Sequence, residues 1–126
     1  MAKSNFENLR VYNLSEHLAD LVWDIVSHWN TFAMDTVGKQ LVRAADSIGA
    51  NIAEGDGRGS YADNKRFVKI SRGSLNETRH FLRRAYKRKL MNDNQVKELK
   101  VFVDELSPKL NAYLKSIGKA KSANNN

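Results

Sequence analysis

Residues 37–60 read VGKQLVRAADSIGANIAEGDGRGS, a helical repeat that runs into a glycine-rich turn. Apolar side chains recur in it at steps of four, three, one, three and four residues, the spacing of one face of an α-helix. They are Val37, Leu41, Ala44, Ala45, Ile48 and Ile52. Because glycine is common just past a helix end, Gly55 is predicted to close this helix.

The glycines of GDGRGS also fit two functional interpretations, a phosphate-binding loop and an RGG-type nucleic-acid-binding motif. A Walker loop would continue into Gly-Lys-Ser or Gly-Lys-Thr, and a dinucleotide fingerprint would follow a strand in a βαβ unit. The sequence has neither, and one Arg-Gly pair is not a repeat. We therefore interpret the stretch as a helix end and a turn.

The same apolar period occurs in three further segments, each of which is predicted to form an amphipathic helix facing a shared core. Their apolar faces are Leu14, Leu18, Leu21, Val22, Ile25 and Trp29 in the first; Phe67, Ile70, Ser74, Thr78, Phe81 and Ala85 in the third; and Val96, Leu99, Val103, Leu106, Leu110, Tyr113 and Ile117 in the fourth.

Short signals mark where these helices begin and end. Asn30–Met34 is predicted to link the first two helices. Pro108 is expected to kink the fourth helix or to restart it with Ser107 as a new N-cap. Two capping residues with an acidic or amide partner three positions later predict helix starts: Ser60 with Asp63, and Asn92 with Gln95.

The fold class follows from these four helices and their short connections. We predict an all-α, up-down antiparallel four-helix bundle over residues 1–118 and a disordered polar tail over residues 119–126. A chain of 126 residues can bury one core. It has no cysteine, no leader-like apolar segment near its start and no apolar run long enough to cross a bilayer, which favours a cytoplasmic protein.

Positive charge is concentrated in one part of the chain. The net charge is +7, and residues 58–89 hold 11 Lys and Arg against 2 Asp and Glu. On the third helix these cations form a row on the face opposite Phe67 and Ile70, with no aromatic residue among them to stack a base. A row of one sign favours a polyanion over a merely solvated face. The predicted phosphate contacts are Lys65, Lys69, Arg72, Arg79, Arg83, Arg84 and Lys87.

Apolar residues outside the core faces predict self-association. On a helical wheel, Tyr12, Trp23 and Val26 lie on the far side of the first helix from its core face, and Val42 widens the apolar arc of the second. Single surface hydrophobic residues are ordinary, but clustered aromatic residues favour an interface. We therefore predict a homo-oligomer that uses these four residues.

A row of polar residues flanks the core face of the second helix, and a further acidic residue lies at the edge of the third. Charges beside a core are costly unless they are paired. An Arg43–Glu54 pair or an Arg–Glu77 pair would satisfy them, and the spacing does not choose between the two. The predicted polar seam is Arg43, Ser47, Asn51, Glu54 and Glu77.

Catalytic and metal-binding patterns are sparse. Glu77 and His80 match half of a di-iron Glu-x-x-His site, but such sites need a second motif, which His17 and His28 do not supply. No nucleophile–His–Asp order or paired carboxylate motif stands out. We expect no enzymatic activity, no cofactor and no metal.

Three motifs together resemble a known family. The sequence resembles the four-helix bundle proteins encoded in 23S rRNA intervening sequences, and the second-helix string is the specific one. The motifs are Phe6-x-x-Leu9-x-Val11-Tyr12; Gln40-x-x-Arg43-Ala44-Ala45-x-Ser47-Ile48-x-x-Asn51-Ile52-Ala53-Glu54-Gly55 followed by Arg58; and Phe67-x-x-Ile70-Ser71-Arg72-Gly73-Ser74-Leu75-x-Glu77.

The resemblance implies a ring-like homo-oligomer, typically a pentamer. The accessory variability determinant proteins of diversity-generating retroelements are similar in architecture and work with a reverse transcriptase and nucleic acid. We therefore expect a non-enzymatic bundle that binds nucleic acid, structured RNA in particular, through its third helix. The alternative is a structural module that binds an acidic protein partner, such as a reverse transcriptase or a ribosomal component.

Overall fold

The computed structural model describes residues 5–119, which form four long α-helices and no strand. A 3-10 turn, Asn5–Asn8, precedes the first long helix, and a short helix, Thr31–Ala33, leads through a π-helical turn, Met34–Gly38, into the second. Of the predicted polar tail, only residue 119 is among the described residues. The long helices are α1 (Arg10–Val26), α2 (Lys39–Asp56), α3 (Tyr61–Lys87) and α4 (Asp93–Ser116).

The four helices pack as an up-down bundle. α1 packs against α2 and α4, and α3 packs against the same two helices. Ser15 near the start of α1 faces Gly49 late in α2, while Val26 at the end of α1 faces Gly38 just before α2, so these two helices are antiparallel. The predicted all-α four-helix bundle is confirmed. Its largest fully buried side chains include Leu14, Leu18, Leu41, Ile48, Ile52, Leu75, Leu106 and Leu110.

Both predicted capping pairs form. The Ser60 side chain accepts a 3.1 Å hydrogen bond from the Asp63 main-chain N–H at the start of α3. At the start of α4, the Gln95 N–H donates to Asn92 Oδ1 at 2.8 Å and the Asn92 N–H donates to Gln95 Oε1 at 3.0 Å. These reciprocal bonds satisfy N–H groups that a helix start leaves unpaired.

The predicted linker is wrong, and so is the predicted restart of α4 at Ser107, whereas the alternative, a kink at Pro108, stays a prediction. Asn30 is an N-cap whose Oδ1 accepts from the Ala33 N–H at 2.9 Å, so helical structure begins at Thr31 and occupies most of the predicted linker. α4 runs through Pro108 without restarting at Ser107. Pro108 is exposed, so water can reach the carbonyl group that loses its helical partner there.

Gly55 does not close α2, which continues to Asp56 and is capped by Gly57. Gly55 is buried where α2 meets the start of α3. A Cβ atom there would lie 2.7 Å from Asn64 Oδ1 and 3.0 Å from Phe67 Cβ. The glycine is needed because the two helices approach too closely for any side chain.

The predicted core face of α3 is partly wrong: Thr78 and Ala85 are buried as predicted, but the buried line is rotated from the predicted one. The buried residues of α3 are Val68, Ser71, Leu75, Thr78 and Ala85, whereas Ile70 is 44% exposed. Two of the buried positions are polar. Ser71 Oγ donates to the Ile48 carbonyl oxygen at 2.7 Å, and Thr78 Oγ1 donates to the Ser74 carbonyl oxygen at 2.8 Å. Thr78 belongs to the predicted face, but an apolar count misses Ser71, whose hydroxyl group is satisfied inside the bundle.

Candidate nucleic-acid interface

The seven predicted phosphate-contact residues are all exposed on α3. We call this set the basic face: Lys65, Lys69, Arg72, Arg79, Arg83, Arg84 and Lys87. It extends over about 33 Å, at 1.5 Å of helix rise per residue. Within residues 5–119, none of the seven forms an ion pair. Their charges are therefore not neutralised by the described part of the chain.

Three residues of the basic face, Arg72, Arg79 and Arg83, lie along the groove between α3 and α4, because the buried line of α3 lies beside them and not opposite them as predicted. Arg72 Nη1 donates to Asn111 Oδ1 of α4 at 3.2 Å. Arg79 and Arg83 lie over the same groove farther along the helix. Arg84, one residue and about 100° round the helix from Arg83, is directed away from it.

A cleft opens in this groove near the end of α3. We call it the α3–α4 cleft, and its volume is about 290 Å³. Tyr86, whose side chain is 49% exposed, lines it beside the two arginines. The expectation that no aromatic residue accompanies the basic row is therefore wrong. Tyr86 follows Arg83 by three residues and Arg79 by seven, a helical spacing that could have revealed it. The full lining is Arg79, Leu82, Arg83, Tyr86, Met91, Val96, Leu99, Lys100, Val103 and Asp104.

Two further arginines, Arg58 in the turn before α3 and Arg66 near its start, are already engaged within the chain. The guanidinium carbons of Arg58 and Arg66 lie 4.7 Å and 4.5 Å from the centre of the Phe67 ring. Arg58 also pairs with Glu54 at 3.1 Å, and Arg66 pairs with Asp63 at 3.7 Å. These arginines are less available to a partner than the basic face.

The predicted polar seam is held by local bonds. Ser47 Oγ donates to the Arg43 carbonyl oxygen, and Asn51 Nδ2 donates to the Ser47 carbonyl oxygen, each at 2.8 Å. Glu54 pairs with Arg58, not with Arg43. Arg43 and Glu77 are exposed and form no ion pair among residues 5–119. Neither of the two predicted pairs forms within the chain.

Three of the four predicted interface residues line one apolar groove between α1 and the start of α2. We call it the Trp23 groove; its volume is about 440 Å³, and Trp23, Val26 and Val42 line it with Arg43. Trp23 is 65% exposed. Val26 is not on the far side of α1, because it is 3% exposed and forms the floor of the groove against Gly38.

Tyr12 lies apart from the Trp23 groove, in an acidic hollow nearer the start of α1 and the end of α2. It is half-buried and packs edge-on against Phe6, with ring centres 4.9 Å apart. Burial, and then a hydrogen bond with Glu16, raises the pKa of the Tyr12 hydroxyl. In the same hollow, burial and then the charge of Asp20 raise the pKa of Asp46. The predicted interface residues therefore divide between two places.

Glu77 and His80 are both exposed, and the His80 ring packs edge-on against Phe81 with centres 5.0 Å apart. Over residues 5–119, no three His, Asp or Glu side chains lie close enough together to hold a metal ion. In the same range, no helix is long and apolar enough to cross a bilayer.

Comparison with known proteins identifies a crystal structure of the same fold. The chain resembles a crystal structure of a protein of unknown function from the S23 ribosomal protein family of Bacteroides thetaiotaomicron VPI-5482. The two are 24% identical, the match covers 83% of this chain and 98% of the other, and the TM-score is 0.74. This likeness shows the shared fold. A comparison with curated proteins found no match.

The family assignment rests on sequence. Residues 7–112 match the family described as 23S rRNA-intervening sequence protein. The matched range runs from just before α1 into α4, so it includes α1, α2, α3, most of α4 and the whole basic face. The chain therefore belongs to the 23S rRNA-intervening sequence protein family.

Proposed function

We propose that this protein is a non-enzymatic, cytoplasmic, nucleic-acid-binding bundle, and that structured RNA contacts its basic face. The observation that carries the proposal is the set of seven exposed cations on one helix that form no ion pair among the described residues. A phosphate backbone releases condensed counterions when it meets such a row, which supplies binding free energy without sequence readout.

The arrangement of the basic face supports a long polyanion better than a small anion. The row of cations extends for about 33 Å along the helix, whereas one phosphate group spans a few ångströms. Neighbouring cations four residues apart are separated by about 6 Å along the helix axis. Several phosphates of one strand can therefore be contacted at once. The family name also connects its members with 23S rRNA, so a structured RNA is the natural first probe.

We also propose that the protein is a homo-oligomer, with a pentameric ring as the favoured form, assembled through the Trp23 groove. The support is an aromatic side chain that is 65% exposed beside an apolar groove. Several copies of the basic face in one particle would raise the affinity for a long RNA through avidity, since the second contact is made at high effective concentration.

The test is the salt dependence of binding to a labelled RNA hairpin and a DNA duplex. We expect the logarithm of the affinity to fall linearly with the logarithm of salt concentration between about 50 and 200 mM. The double variant Arg79→Glu/Arg83→Glu should weaken binding by at least roughly tenfold. The slope of log affinity against log salt concentration should become shallower by the amount that about two phosphate contacts contribute. Fluorescence anisotropy measures both quantities.

The matched control is Lys97→Glu/Lys115→Glu, which makes the same charge change at two exposed lysines of α4 outside the basic face and the α3–α4 cleft. It should leave the slope nearly unchanged. If wild-type protein shows no binding, or a slope near zero, the proposal fails. If polyglutamate of equal charge competes as well as RNA, an acidic protein is the better partner, as in the alternative interpretation.

A further inference from the structure

We propose that the α3–α4 cleft receives one unpaired base of the bound strand, stacked against Tyr86 while Arg79 and Arg83 hold the flanking phosphates. This inference rests on the proposed function and adds a preference to it. The protein would favour nucleic acid with accessible bases, such as RNA loops and single strands, over a continuous duplex.

The shape of the cleft suits a base. Its floor is apolar, since Met91, Leu99 and Val103 are each less than 10% exposed and Leu82 and Val96 are partly buried. The volume of about 290 Å³ is sufficient for one base with part of its sugar and small for a larger ligand. An apolar cleft beside a half-exposed tyrosine suits the stacking of an unpaired base, because proteins stack such bases on aromatic side chains.

The charges around the cleft are placed for a nucleotide and not for an apolar ligand. Arg79 and Arg83 stand on the α3 side, one helical turn apart, and continue directly into the rest of the basic face. On the α4 side, Lys100 pairs with Asp104 at 3.4 Å and forms a polar rim. A strand lying along the basic face would thus pass its phosphates over the two arginines, with the cleft immediately beside them.

A base within a duplex could not use this site. Its two faces are covered by neighbouring base pairs, and placing it on Tyr86 would require it to leave the stack. An unpaired base already has a free face, so placing it on Tyr86 requires little unstacking energy. The cleft therefore distinguishes single-stranded from double-stranded nucleic acid without distinguishing one base sequence from another.

The first experiment compares Tyr86→Ala with Tyr61→Ala. Both tyrosines are on α3 and both are 49% exposed, but Tyr61 is at the other end of the helix, outside the cleft. With a single-stranded oligouridine of about twelve nucleotides, we expect Tyr86→Ala to lower affinity roughly tenfold at unchanged salt slope. Tyr86→Phe should bind like the wild type. Duplex affinity should change by less than about twofold in all three variants.

A second experiment uses the wild-type protein, so that it does not depend on how a variant folds. Oligouridine carrying 5-iodouridine is bound and irradiated, and the crosslinked peptide is identified by mass spectrometry. We expect the crosslink at Tyr86. A crosslink only at other residues would overturn the inference.

The outcomes separate this inference from the proposed function. If wild-type protein binds with the expected salt slope but Tyr86→Ala binds oligouridine equally well, the cleft does not receive a base and the proposed function stands. The same conclusion follows if Tyr86→Ala weakens single-strand and duplex binding equally. If the wild-type protein binds neither strand nor duplex, both proposals fail.

Discussion

Ser71 in α3 donates a 2.7 Å hydrogen bond to the main-chain carbonyl oxygen of Ile48 in α2, and neither residue is exposed to solvent. The bond ties the middle of α3 to the middle of α2 at a fixed rotation. Arg72, the next residue, is thereby directed toward α4, where it meets Asn111. One buried hydroxyl group therefore helps to set the direction in which the basic face points.

Replacing this hydroxyl group should destabilise the fold. We expect Ser71→Ala to lower the free energy of unfolding by about 1 kcal/mol, the usual net contribution of one hydrogen bond. Urea denaturation followed by circular dichroism measures it. Ser116→Ala is the matched control, because Ser116 donates an equally short 2.7 Å bond at an exposed position, and its effect should stay within about 0.5 kcal/mol. Equal effects of the two substitutions would mean that the buried hydrogen bond contributes no more to stability than the exposed one.

Two glycines should respond oppositely to the same substitution. Gly55→Ala should destabilise the protein by about 1–3 kcal/mol, because the new Cβ would lie 2.7 Å from Asn64 Oδ1 and 3.1 Å from the Asn64 carbonyl oxygen. Gly73→Ala, inside α3, should stabilise it by up to about 1 kcal/mol, because no atom beyond its neighbours and the adjacent helix backbone lies within 4 Å of its Cβ position. Thermal denaturation of both variants checks the signs. A stabilising Gly55→Ala would contradict the close approach of α2 and α3.

An ion pair between α1 and α4 should be visible in the titration of Glu105. Hydrogen bonds from Arg10 at 2.8 Å and from Lys109 lower the pKa of Glu105 from its ordinary value of 4.5. A lowered pKa in the folded state means that the stabilising effect is present above 4.5 and is lost as the pH falls through the lowered value. In NMR titrations, Arg10→Ala should move the Glu105 pKa upward.

The control for this titration is Lys39→Ala, which removes an exposed cation that forms no ion pair with Glu105 in the described range. It should leave the Glu105 titration unchanged. If Arg10→Ala leaves it unchanged as well, the contact between Arg10 and Glu105 does not persist in solution. The exposed position of this pair means that its effect on overall stability should be small.

Self-association through the Trp23 groove should depend on Trp23. We expect wild-type protein to sediment well above the single-chain mass of 14.3 kDa, and Trp23→Glu to shift the mass toward one chain because a charge would be desolvated in an apolar contact. Val101→Glu, at an exposed apolar residue of α4 outside the groove, is the control and should keep the assembled mass. A wild-type mass of one chain would refute the interface.

The spacing of residues in the sequence predicted the fold more accurately than it predicted the functional surface. The faces of α1, α2 and α4 could be found because their buried residues are almost all apolar and regularly spaced. The face of α3 could be found only in part. Thr78 and Ala85 are buried as predicted, but Ser71 is also buried, with its hydroxyl group bonded to a carbonyl oxygen. Because the predicted core face of α3 is rotated from the buried one, the basic face was predicted to point away from α4. Tyr86 and the α3–α4 cleft were not predicted for the same reason.

Sequence alone determined the number of long helices, the N-caps of α3 and α4, and the presence of a concentrated positive charge on α3. Each of these properties depends on residues that lie a few positions apart in the chain, so the spacing of residue types predicts it directly. Tertiary structure alone decided that Gly55 serves close packing and not a helix end, and that Arg79, Tyr86 and Lys100 surround one cleft. Those facts depend on the distance and the rotation between helices. Both are fixed by the packing of core side chains that are distant in sequence.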